Sequence, residues 1–83
     1  MNDIDITGPV TAYATGQVTL VKLGELIAEV ISKHPSFATE PRLQRIRDKF
    51  STVEDEERFD AFLTDLMFWC SYNGCKLIHP GAK

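Results

Sequence analysis

Residues 20–31, LVKLGELIAEVI, set Leu20, Leu23, Leu26, Ile27, Val30 and Ile31 at the three- and four-residue spacing of one helix face, with Lys22, Glu25, Glu29 and Lys33 on the other. Such a stripe has to be buried, because a short helix is marginal in water and draws its stability from packing an apolar face. Its ends are marked as well. Thr19 offers an N-cap hydroxyl, Lys33 and His34 suit the negative end of the helix dipole, and Pro35 stops the run. The pattern predicts a first helix over 19–34, and the rest of the chain must supply the surface it packs on.

Two further helices are predicted to supply it. Over 40–50, Leu43, Ile46 and Phe50 form a short apolar stripe, with Thr39 as an N-cap and Pro41 tolerated in the first turn. Ser51 with Glu54 has the spacing of a capping box, and the acids Glu54, Asp55, Glu56 and Glu57 favour the positive end of a helix starting there. This third helix is expected over 52–73 and to be the longest, ended by Asn73 and Gly74, both of which tolerate a left-handed cap.

The flanks read differently. Ile4, Ile6, Val10, Ala12 and Ala14 fall at even positions, the period of an extended segment with one buried side, so residues 1–18 are expected to form an arm of short strands or a hairpin turning at Gly8 and Pro9. The tail over 74–83 is too apolar at Leu77 and Ile78 to be a free end, and can form a short strand beside the arm. At 83 residues, two separate cores would each be too small, so one domain is expected. The predicted fold is mainly α: three helices with a long C-terminal helix, plus short extended or β segments from the arm and the tail.

Composition narrows the function classes. A net charge of −3 argues against a surface drawn everywhere to phosphate polymers, although a local basic face can exist. The start, MNDIDITGPV, has acids where a secretory leader would have bases, and no apolar segment approaches a membrane span. A cytoplasmic location is expected, with Cys70 and Cys75 as reduced thiols. Cys70, Cys75 and His79 make C-x4-C-x3-H, to which His34 could add a fourth ligand. The spacing fits zinc poorly, however, and Cys70 points into the predicted core, so no metal or cofactor is expected. No nucleophile elbow, HExxH, phosphate loop or GxGxxG pattern occurs. The acids at 54–57 are explained by the helix dipole, and His34 and His79 flank prolines as surface groups. No enzyme is expected.

An aromatic surplus remains. With Phe59, Phe62, Leu63, Leu66, Met67 and Cys70 turned to the core, the third helix still carries Ala61, Phe68 and Tyr72 on a separate strip, with Trp69 between the two faces. The arm, through Val10, Tyr13 and Val18, and the tail, through Leu77 and Ile78, could cover that strip. Otherwise a homodimer seam or a different protein does. The candidate partner-binding residues are Phe68, Trp69 and Tyr72, with Tyr13 from the arm. In PRLQRIRDK, Arg42, Arg45 and Lys49 line one edge of the second helix and would steer an acidic partner.

The chain therefore reads as a small protein-interaction module. In general character, acidic, short and without catalytic signatures, it resembles the accessory proteins of bacteriophages and other mobile elements. That resemblance, which covers no particular stretch, implies a homodimer that binds and inhibits or modulates a host protein. The alternative is a small dimeric transcriptional regulator using the basic edge of the second helix on DNA. Recognition helices usually add Asn, Gln, Ser or Thr side chains that read base edges, of which only Gln44 is present here, and the connection from His34 to Thr39 is long for a helix-turn-helix. An assembly subunit forming oligomers larger than a dimer is a third class.

Overall fold

The computed structural model describes residues 3–80; the outermost residues of the predicted arm and tail, 1–2 and 81–83, lie outside it. In chain order the elements are β1 (Ile4–Asp5), α1 (Thr7–Ala14), α2 (Leu20–Ser32), α3 (Pro41–Ser51), α4 (Glu56–Tyr72) and β2 (Leu77–Ile78). The protein is thus mainly helical with two short strands.

The stripe on α2 is the centre of the core: Leu23, Ile27 and Ile31 are fully buried, with Leu43, Ile46 and Phe50 from α3, and Phe59, Leu66, Trp69 and Cys70 from α4. Thr19 caps α2 as the sequence suggests, accepting the Lys22 N–H at 3.2 Å. A side chain at Gly24 would meet the carbonyl oxygen of Phe50 and the Cγ1 of Val53, so α2 and α3 cross where only a glycine fits. Phe50 anchors the opposite side of this contact, edge-on to Phe59 and Phe62 at 5.8 and 6.0 Å between ring centroids.

The arm is the largest correction. Residues 7–14 are a helix, not an extended segment. Asp5 Oδ1 accepts the Thr7 N–H at 2.9 Å, a bond that holds the carboxyl below its usual range, and Pro9 sits in the first turn, where its missing N–H leaves no gap. At the other end Gly16, at φ +79°, closes a Schellman motif, with Gln17 N–H donating to Ala12 and Gly16 N–H to Tyr13. The even-numbered alanines that suggest alternation are small, Ala12 half-buried and Ala14 exposed. Ile6, Val10 and Tyr13, spaced as a helix face, make the contact with the core.

Two predicted caps also move. Glu40, not Thr39, caps α3 by accepting the Arg42 N–H at 3.2 Å, while the Thr39 hydroxyl donates to Ser36 O. Ser51 belongs to the end of α3, and α4 starts later, at Glu56, with Asp55 accepting the Arg58 N–H at 2.8 Å. Both replacements are carboxylates, which serve the positive end of a helix better than a hydroxyl does. Strands β1 and β2 pair in parallel, Ile4 opposite Leu77 and Asp5 opposite Ile78, with nearly the whole described chain as the connection between them. The Lys76 N–H donating to Asp3 Oδ1 at 3.0 Å extends this tie.

Candidate functional site

Helix α4 turns one face inward and one out, and the division is not where the periodicity places it. Trp69 is buried at 2% exposure, whereas Met67 stands out at 47%. The inward face is rotated toward Trp69, whose large ring gains more from burial than the flexible Met67 side chain. Trp69 packs edge-on against His34 at 5.3 Å and 86°. His34 is consequently a core residue rather than a surface one, with its Nδ1 accepting the Ser36 N–H at 3.1 Å. The indole Nε1 of Trp69 is buried without a hydrogen-bond partner among the described residues.

Phe68 and Tyr72 face outward, 60% and 76% exposed. Among the described residues, neither the arm nor the tail covers them. Tyr13 lies at the opposite end of α4, its hydroxyl donating to Glu56 Oε1 at 2.7 Å, a bond that raises its ionisation above the ordinary tyrosine value. Phe68 is twelve residues further along the helix than Glu56, a separation of about 18 Å along the axis. Tyr13 is therefore not part of a cluster with Phe68 and Tyr72.

What the structure does bring together is a groove between α3 and α4 of about 440 Å³. Arg42, Arg45 and Lys49 form one wall, Phe68 and Tyr72 with Asp65 the other, and Ile46 and Trp69 contribute to the lining from the core side. Trp69 thus belongs to the candidate site as part of its buried support, not as a free anchor. Lys49 Nζ reaches Asp65 Oδ2 at 2.9 Å and ties the two walls together. Arg42 and Arg45 enter no side-chain ion pair among the described residues. Ile46, expected in the core stripe of α3, and Asp65 join the site from outside the predicted set. Asp65 precedes Phe68, Trp69 and Tyr72 by three, four and seven residues, the spacing that signals a shared face.

Arg47 projects elsewhere, over the ring of Phe37 at 5.2 Å. Gln44 Nε2 donates to Phe37 O at 2.7 Å, holding the α2–α3 connection. The helix end carrying the aromatics is fixed by a second Schellman motif. Gly74 has φ +72°, Cys75 N–H donates to Cys70 O at 3.0 Å, and Asn73 Nδ2 donates to Trp69 O at 2.8 Å. Burial, followed by the neighbouring Cys75 thiol, pushes the Cys70 thiol up to about 12, which leaves Cys70 protonated and inert near neutrality.

Among the described residues no cluster of three or more His, Cys, Asp or Glu side chains is placed to hold a metal, and no helix is long and apolar enough to cross a membrane. No family model matches the chain, and neither a curated protein nor a solved structure matches it.

Proposed function

We propose that this protein is a small interaction module that inhibits or modulates another protein by occupying a surface on it through the α3–α4 groove. One observation carries the reading: Phe68 and Tyr72, large aromatic side chains, stand well exposed beside a row of three cations. Exposed rings of this size are the residues that supply most contact energy once water is excluded. Arg42 and Arg45, free of side-chain ion pairs among the described residues, would steer a partner with acidic residues flanking an apolar patch and affect association rate more than final affinity. The action is steric or conformational blocking. An accessory protein of a phage or other mobile element fits this size and character.

Recognition of DNA by α3 draws less support. Gln44, the one amide side chain on α3, is spent on the Phe37 carbonyl, Arg47 lies over the Phe37 ring, and Lys49 is paired with Asp65. The test is capture from the cytosol of the source cells with wild-type protein and the double variant Phe68→Ser/Tyr72→Ser as baits. A stoichiometric protein recovered by the first and lost by the second supports the proposal. Equal recovery by both, or recovery abolished by nuclease, overturns it.

A further inference from the structure

The outer strip of α4 is lopsided in a way that points to a second copy of the chain. At about 100° per residue, Glu57, Ala61, Thr64, Asp65, Phe68 and Tyr72 fall within roughly 60° of one line along the helix. All but the half-buried Asp65 are exposed. The C-terminal half of the strip is aromatic and flanked by Arg42, Arg45 and Lys49. The N-terminal half is acidic, with Glu54, Asp55, Glu56, Glu57 and Asp60 exposed around it, and it borders a second concavity lined by Asp55, Glu57, Arg58 and Ala61. Arg58, the cation within that stretch, is held 3.5 Å from Asp55.

Each half therefore lacks what the other has. One offers bulky rings and positive charge. The other offers the small side chain of Ala61 in a concavity with negative charge. A parallel pairing of two such helices would set acids on acids and arginines on arginines, which is repulsive. An antiparallel pairing sets unlike ends together, and the helix dipoles oppose favourably as well. It also closes on itself by two-fold symmetry, so every contact occurs twice.

We propose that α4 pairs with α4 of a second copy, antiparallel about a two-fold axis passing between residues 64 and 65, so that Phe68 seats on the partner's Ala61. In this register Tyr72 lies opposite the partner's Glu57, where its hydroxyl can donate to the carboxylate, and Arg42 and Arg45 face the acids at the start of the partner's helix. Ala61 and Phe68 are separated by seven residues, about 10 Å, so both ring-on-alanine contacts fall within a few turns of the axis. The inference rests on the reading of this strip as a recognition surface and names one occupant of it. Because the pairing covers Phe68 and Tyr72, a second copy and a different partner compete for them.

Sedimentation of the full chain over about 5 to 500 µM tests the proposal. The wild type is expected to pass from the 9.3 kDa chain mass to twice that value. Ala61→Arg, which places a long cation beneath the partner's Phe68 and near its arginines, should weaken the dimer by at least about tenfold. Arg45→Glu and Glu57→Arg should each weaken it, and the two combined should recover part of the loss, because the swap restores unlike charges across the seam but removes the acceptor of the Tyr72 hydroxyl. A chain that stays at 9.3 kDa throughout, a dimer indifferent to Ala61→Arg, or a charge swap that recovers none of the loss each overturns the proposal. The recognition reading fails separately. If Ala61→Arg removes the dimer and leaves capture of a heterologous protein intact or stronger, that reading stands. If Phe68→Ser/Tyr72→Ser changes neither assembly nor capture, both fall.

Discussion

Helix α3 meets its two neighbours in opposite ways. Against α2 it packs so closely that the Gly24 position has no space for a methyl group beside the Phe50 carbonyl and Val53. Against α4 it closes over Ile46 and Trp69 only at the bottom, and the walls above stand apart with Phe68 and Tyr72 in solvent. The contrast separates two tasks within one helix. The inner seam holds α3 rigidly, and a rigid α3 is what gives Arg42 and Arg45 a fixed position relative to the rings across the groove.

The contrast is sharpest if it can be broken on one side at a time. Gly24→Ala should have one of the two largest effects on stability. Overpacking against a backbone carbonyl outweighs the gain of about 1 kcal/mol in helix propensity. A net loss of about 2–3 kcal/mol, read as a fall in Tm of more than about 10 °C, is expected. Leu66→Ala, on the inward face of α4, should cost about 2–5 kcal/mol, since Leu66 is fully buried. Phe68→Ser, two residues further along the same helix, should change the thermal stability of dilute, monomeric protein by no more than about 0.5 kcal/mol while removing partner binding. A melting loss for Phe68→Ser as large as that for Leu66→Ala would erase the distinction between the two faces.

The two thiols give a smaller and purely local contrast. Cys70 is buried and Cys75 only half-buried, so a thiol reagent at pH 8 should label Cys75 in the native protein and reach Cys70 only on unfolding. Burial raises the Cys70 pKa in the folded state, so the unfolded chain gives up that proton first. Stability should accordingly fall as the pH climbs from near the ordinary thiol value of 9.0 towards about 12. A Cys70→Ala variant should lose that alkaline slope in a urea titration, and a slope unchanged by the substitution would assign it to another group.

The parts of the fold readable from the sequence are those where one period dominates. The α2 stripe, its Thr19 cap and the Gly74 stop on α4 follow from residue type and spacing alone. Residues 7–14 satisfy both periods at once. Ile6, Val10 and Tyr13 fit a helix face, while Ala12 and Ala14 fit a strand, and small residues tolerated on either side leave periodicity unable to choose. The decisive features were the Asp5 carboxylate ahead of Pro9 and the glycine at Gly16, which together mark a helix start and stop. For the site, the outward direction of Phe68 and Tyr72 is legible from helical phase, and so is the shared edge of Arg42, Arg45 and Lys49. That these sets flank one groove is a tertiary fact. So are the burial of Trp69 and the remoteness of Tyr13, because each depends on which helix lies alongside α4.

Hydroxyl-radical footprinting across a dilution series tests the central claim most directly, since it reads the solvent access of each ring separately. In dilute protein Phe68 and Tyr72 should oxidise readily while Phe50 and Trp69 stay protected, and raising the concentration or adding a bound partner should protect the first pair without altering the second. Protection of Phe68 and Tyr72 at the lowest concentration, or oxidation that never responds to association, would contradict the account of the outer face of α4 as a recognition surface.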